Sequence, residues 1–155
     1  MLAQNQRKAC KMRWWIDEPK LIGSHNPRQS ELKIENLSTI VSLIDTKEGR
    51  LNYNPAIPGV TWVEIPLKDF SAPSVENLMH FVKVVEDSPG TVLVHCEGGS
   101  GRTGTFGAAW LMRTGEIWAS RAIEILRETN PHAIETDEQK AVLIRFEKTV
   151  RSSIE

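Results

Sequence analysis

Val92-Leu-Val-His-Cys-Glu-Gly-Gly-Ser-Gly-Arg-Thr-Gly-Thr105 runs from an apolar β-type segment through a glycine-rich turn into helix-forming sequence. Residues 91–94 are apolar on both faces, the pattern of a strand at the centre of a parallel sheet. Cys96 follows the strand, and Arg102 stands at the mouth of the next helix with five residues between them. Gly98, Gly99, Gly101 and Gly104 let the backbone fold tightly enough for successive N–H groups to point inward. Such a nest at a helix N-terminus binds anions. Arg102 adds a planar fork for two phosphate oxygens, and the positive helix end favours the charged form of a cysteine. One loop can therefore hold a thiolate nucleophile and an oxyanion clamp. The plainer readings are an ordinary glycine-rich strand-to-helix turn and a cysteine that is a small core residue. Cys96 at the loop start, followed by an arginine that a core would reject, favours the chemical site.

Working outward, 39–44 and 62–65 read as further short strands, and Val75, Leu78, Met79, Val82 and Val85 recur at helical spacing between 62–65 and 91–94. Pro73 suits the first turn of that helix. The result is a β-α-β unit with an expected right-handed crossover. Downstream, the periodicity predicts helices over 103–113, 117–129 and 136 to about 151, the second ended by Asn130-Pro131. The fold class is α/β: a central, mostly parallel sheet flanked by helices, with a helical C-terminal half. The polar, Pro- and Gly-bearing stretch 47–59 predicts a mobile surface loop.

Composition narrows the setting. With 155 residues and 40% hydrophobic content, the chain can bury one core but not two. Nineteen basic against twenty acidic residues give a net charge of −1, so no nucleic-acid or membrane partner is expected. Two cysteines, Cys10 and Cys96, make no disulfide framework, and a nucleophilic thiol needs a reducing, cytoplasmic location. No run suits a signal peptide or a membrane span. Residues 1–11 read as a polar N-terminal arm and 12–155 as the catalytic domain. His25, His80 and His132 lie on unlike elements without the paired spacing of a zinc site, so neither a metal nor another cofactor is expected.

Cys-x5-Arg followed by Thr-Gly resembles the active-site loop of cysteine-dependent protein tyrosine and dual-specificity phosphatases. The likeness extends over roughly 60–145 and is closest to compact single-domain members. Ile65-Pro-Leu-Lys-Asp-Phe-Ser-Ala-Pro-Ser74 is similar to the family's general-acid loop, with Asp69 in the acid's place 27 positions before Cys96. Asn130-Pro-His-Ala-Ile-Glu-Thr-Asp-Glu-Gln139 is similar to the segment that carries a water-positioning glutamine.

The resemblance implies a protein tyrosine phosphatase-like fold and a phosphorylated protein or peptide substrate. In it Cys96 is the nucleophile, and Glu97, Gly98, Gly99, Ser100, Gly101 and Arg102 bind the phosphate. Asp69 is the acid, Thr103 donates to the sulfur, Gln139 orients water and His95 orders the loop. Beside these stand alternatives: a capping or turn carboxylate for Asp69, an ordinary first-turn hydroxyl for Thr103, and for Gln139 a capping box with Thr136. Two departures bear on substrate. The chain has one tyrosine, Tyr53, and no tyrosine loop, and Asn130-Pro131-His132 replaces the Arg-Pro-Gly of many relatives at the expected rim of the site. The five residues after Cys96 include no lysine, which disfavours a polyphosphorylated lipid. Hydrolysis of phosphotyrosine, and of phosphoserine or phosphothreonine, is the expected function. The alternatives are a non-protein phosphate ester (lipid, nucleotide or RNA end) and a non-catalytic phosphopeptide-binding module.

Overall fold

A computed structural model describes residues 13–47 and 49–154, without the side chains of the last two. The arm at 1–11 and Cys10 lie outside the described residues. Five strands, β1 (Arg13–Asp17), β2 (Leu21–Ser24), β3 (Leu37–Ile44), β4 (Thr61–Leu67) and β5 (Thr91–His95), form one sheet in the order β1-β2-β5-β3-β4. Only β1 is antiparallel to its neighbour. The helices are α1 (Val75–Asp87), α2 (Gly101–Gly115), α3 (Ala119–Thr129) and α4 (Asp137–Ile154).

The central place of β5 explains its composition, because every residue of it is buried. Its side chains alternate between two cores. Val92 and Val94 join the larger one, to which all four helices contribute, while Leu93 joins Ile22, Ile40, Leu32 and Tyr53 on the other face. In the larger core the Phe81 and Phe106 rings meet edge to face at 5.1 Å, each contributing roughly 1.5–3 kcal/mol by burial.

Helix α2 sits close against the first hairpin. A Cβ at Gly107 would lie 2.9 Å from Ile16 Cδ1, so a larger residue here would have to displace the end of that side chain. Trp110 Nε1 then donates to Asp17 Oδ2 at 2.8 Å.

Three sequence readings change. Strands β1 and β2 were not expected, although Arg13–Asp17 alternates exposed and buried residues as a strand should. Pro73 lies before the first turn of α1 rather than in it: Ser74 is the N-cap, its hydroxyl accepting from Asn77 N–H at 3.0 Å. The stretch 47–59 is not wholly a surface loop, since Tyr53 is 6% exposed and Leu51 and Ile57 pack with it under the sheet. That face needs an apolar cover, and among the described residues no α-helix supplies one; Leu32, at the end of the short 3-10 helix Gln29–Leu32, shares the task with this stretch.

The parallel strands end level. Ser24 pairs with His95, His95 with Ser42, and Ile44 with Leu67. The segments that leave β2, β3, β4 and β5 therefore gather at one sheet edge, where open α/β sheets bind their ligands.

Candidate active site

Cys96 leaves β5 with its N–H bonded to Ser24 O at 3.4 Å, and the chain then turns sharply to begin α2 five residues on. The turn depends on Gly99, whose φ is +85°, and a Cβ there would stand 2.6 Å from His25 N and 2.8 Å from Ser24 C. Trp14 Nε1 holds Gly99 O at 3.0 Å. So fixed, Gly99 N–H donates to Cys96 Sγ at 3.2 Å, and Thr103 Oγ1 donates to the same sulfur at 3.1 Å. Cys96 is 2% exposed. The two donors on this buried sulfur come from the turn and from the helix that it opens. Thr103 thus stands in the first turn of α2 with its hydroxyl directed to the sulfur. Helix α2 has no side-chain cap and no acidic residue of its own in its first turn, and the Glu135 carboxylate lies where a Cβ at Gly101 would stand.

Arg102 and Asp69 come together from opposite conditions. Arg102 is 5% exposed and Asp69 61%, with Nη2 and Oδ1 3.4 Å apart. Arg102 Nη1 donates to Leu67 O at 2.9 Å, so the end of β4 aims the guanidinium, while its Nε is buried without a partner. Asp69 Oδ1 also accepts Phe70 N–H at 2.9 Å, where Phe70 has φ +61°. A cavity of about 170 Å³ opens here. Ile44 and Leu67 form its apolar wall, and Asp45, Asp69, Glu97 and Arg102 bring charge.

His95 is wholly buried beneath the loop. Its Nδ1 lies 3.3 Å from Cys96 O and its Nε2 2.7 Å from Tyr53 Oη, to which Trp62 Nε1 donates at 3.0 Å. Burial pushes the imidazole pKa down to about 4 and the Tyr53 phenol up to about 12. A neutral imidazole must then donate at one nitrogen and accept at the other. With Nδ1–H facing a carbonyl, the chain of donors runs Trp62 to Tyr53 to His95 to Cys96 O. Tyr53 escaped the sequence reading because no local pattern distinguishes a buried tyrosine in a polar loop.

Gln139 realises the capping box. Its Oε1 accepts from Thr136 N–H at 3.2 Å and Glu135 N–H at 2.8 Å, and its own N–H donates to Thr136 Oγ1 at 3.1 Å. The other end of the amide, Nε2, donates to Ser71 O at 3.1 Å, two residues beyond Asp69. The helix cap and the loop that bears Asp69 are thus joined by one side chain. Asn130, expected at the rim, is instead fully buried and donates through Nδ2 to Ser100 Oγ at 3.2 Å, bracing the loop that follows Cys96. Asn26 also braces it, its N–H donating to Glu97 O at 3.1 Å and its Nδ2 to Arg50 O at 2.7 Å. Neither brace was anticipated. Among the described residues no cluster of three histidines, cysteines or carboxylates could hold a metal, and no helix is long and apolar enough to cross a membrane.

A family model described as "Polymorphic toxin system, DSP-PTPase phosphatase" matches residues 16–116. The tyrosine-protein phosphatase cdc-14 of Caenorhabditis elegans is 31% identical over 137 residues, which is 77% of this chain but 19% of that protein. The chain therefore spans about a fifth of the length of that relative. The crystal structure of Tk-PTP in the active form is 32% identical and superposes with a TM-score of 0.77, covering 88% of this chain and 97% of that one. PTPMT1, solved in complex with PI(5)P, superposes at 0.85 over 94% of this chain and 100% of its own, at 21% identity. The last likeness is one of fold.

Proposed function

Because the chain belongs to the family of cysteine-dependent tyrosine and dual-specificity phosphatases, we propose that it hydrolyses phosphotyrosine, and phosphoserine or phosphothreonine, in protein or peptide substrates through a cysteinyl-phosphate. The observation that carries this reading is the pair of donors on Cys96 Sγ in the same loop whose Arg102 faces Asp69.

The phosphate enters with its oxygens on the loop amides of 97–102 and on the Arg102 fork, whose Nε has a donor to give. The Cys96 sulfur attacks phosphorus from beneath, forming S–P as the P–O bond to the alcohol breaks. Protonated Asp69 gives its proton to that oxygen, and the alcohol leaves. Arg102 and the amides hold the equatorial oxygens as charge shifts. Water then attacks phosphorus, its proton passes to the Asp69 carboxylate, and the S–P bond breaks with the electron pair returning to sulfur. Thr103 and Gly99 stabilise the departing sulfur. Gln139 holds the loop that carries Asp69, and the His95 network fixes the loop base.

The test is a panel of phosphotyrosine, phosphoserine and phosphothreonine peptides and small phosphate esters with wild type and Cys96→Ser. The expected result is turnover by the wild type in the presence of a chelator, and phosphate binding without turnover by the variant. Appreciable turnover by Cys96→Ser, or activity that needs an added metal ion, would overturn the reading.

A further inference from the structure

Trp14 belongs to β1, at the edge of the sheet, yet its side chain ends at the loop that follows Cys96. It pairs across the hairpin with Gly23, and a Cβ at Gly23 would stand 3.0 Å from the indole Cε2 and Nε1 and 2.9 Å from Thr103 Cγ2. Glycine inside β2 therefore leaves the space through which the indole reaches the loop. Its Nε1 donates to Gly99 O at 3.0 Å, a buried bond between residues 85 positions apart. Trp14 is 3% exposed, and burial alone would be satisfied by any large apolar side chain. What the indole adds is an N–H aimed at a loop carbonyl.

The carbonyl that it holds decides where the next amide points. Gly99-Ser100 is joined by a trans peptide, in which C=O and N–H face opposite ways. Holding Gly99 O against the indole thus turns the Ser100 N–H away from it. Glycine admits backbone conformations on both sides of φ 0, so Gly99 by itself does not fix this peptide plane. A rotated plane would set a carbonyl oxygen where an anion needs a donor. We propose that Trp14 is a positioning residue for phosphate: its indole anchors the Gly99 carbonyl outside the loop and so keeps the Ser100 N–H turned toward the anion. The inference rests on the phosphatase reading above and adds to its site a residue from the edge strand. Loss of one well-placed donor to a charged ligand weakens binding by about 10–100-fold.

The experiment measures competitive inhibition by inorganic phosphate, together with kcat and KM for an aryl phosphate, in wild type, Trp14→Phe and Trp110→Phe. Trp110 is the control, since its Nε1 also bonds to this hairpin, donating to Asp17 Oδ2 at 2.8 Å, and phenylalanine there removes a like bond farther along α2. Trp14→Phe should raise the inhibition constant about 10–100-fold and lower kcat/KM at least as much. Trp110→Phe should stay within about twofold of wild type in both. An unchanged inhibition constant in Trp14→Phe, or equal weakening in the two variants, overturns the inference and leaves the phosphatase reading intact. Where Trp14→Phe does not fold, wild type alone decides. Linkage requires phosphate to strengthen a bond that favours its own binding, so saturating phosphate should slow solvent exchange of the Trp14 indole proton, followed by NMR, at least about fivefold more than that of Trp110. Equal slowing of the two protons overturns the inference as well. Wild type that neither hydrolyses aryl phosphates nor binds phosphate overturns both readings.

Discussion

Arg102 Nη2 stands 3.4 Å from Asp69 Oδ1, so the cation that would grip a phosphate faces the carboxylate that would protonate its ester oxygen. The contact contributes little to stability, because Asp69 is mostly exposed and such pairs are screened. Its consequence is positional. Leu67 O, at the end of β4, receives Arg102 Nη1 only two residues before Asp69, so one strand end aims both groups.

That geometry makes Arg102→Lys a severe change although it keeps the charge. An ammonium cannot donate to Leu67 O and also present a two-pronged fork to phosphate. A loss of kcat/KM of at least about 100-fold is expected, the equivalent of one charge-assisted hydrogen bond or more. Steady-state kinetics on an aryl phosphate checks it, and near-normal kcat/KM would reduce Arg102 to a structural cation.

Thr103→Val keeps the volume and removes one of the two donors on Cys96 Sγ. Valine also preserves the methyl that approaches the Gly23 backbone. If the hydroxyl stabilises the sulfur as it leaves phosphorus, breakdown of the cysteinyl-phosphate should slow by about 10–100-fold. A pre-steady-state burst of alcohol, with a reduced steady-state rate, is the signature to look for. A variant whose first step alone is slowed would assign the hydroxyl to attack rather than departure.

The buried imidazole gives a stability test that does not depend on substrate. His95 has its pKa lowered to about 4 from 6.5, chiefly by burial. Above pH 6.5 both the folded and the unfolded chain hold it neutral, and its contribution is complete. As pH falls below 6.5 the unfolded chain binds a proton that the folded one refuses, so stability drops by up to about 1.4 kcal/mol per pH unit until the folded pKa is reached. The total is roughly 3 kcal/mol. Urea unfolding from pH 7.5 to 4.5 should show this slope in wild type beyond that of His95→Gln, which has no imidazole to titrate. Tyr53→Phe, which strands Trp62 Nε1 and His95 Nε2, should cost about 1–3 kcal/mol at neutral pH. Equal pH slopes in wild type and His95→Gln would show that the imidazole is not kept neutral by the fold.

The legible and illegible parts of this molecule divide by physical range. Cys96, Arg102 and Thr103 could be read because strand, nest and helix N-terminus are consecutive, and the fold only has to close a local turn. Asp69 could be placed near them because the ends of parallel strands share one edge. The unread parts depend on contacts distant in sequence. Tyr53 meets His95 across 42 positions, Trp14 meets Gly99 across 85, and Asn26 meets Glu97 across 71. No local periodicity encodes such pairs. Strand β1 was a different omission, since its alternation is visible once Trp14 and Ile16 are seen to face inward and Trp15 outward. For Gln139 the local capping signal was sound, and the second function of its amide required the tertiary approach of Ser71.

Gln139 and Asp69 give the last prediction, in which capping and acid positioning separate. If Asp69 protonates the leaving oxygen, Asp69→Asn should slow esters with basic leaving groups, such as alkyl and tyrosyl phosphates, by about 10²–10⁴-fold, and acidic phenols much less. A plot of log kcat/KM against leaving-group pKa then becomes steeper in the variant. Gln139→Glu should reproduce part of that steepening by another route. Its carboxylate still accepts from Thr136 N–H and Glu135 N–H, so the helix cap persists, while a charge at this fully buried position should cost about 1–3 kcal/mol. But it has no N–H to give to Ser71 O and sets an anion against that carbonyl, so the loop bearing Asp69 loses its tether. Gln139→Ala loses both functions and should show the steeper plot together with a loss of about 1–2 kcal/mol. If Gln139 served only as a cap, Gln139→Glu would keep the wild-type slope. If Asp69 were merely a turn carboxylate, Asp69→Asn would lower every ester by the same factor and the lines would stay parallel.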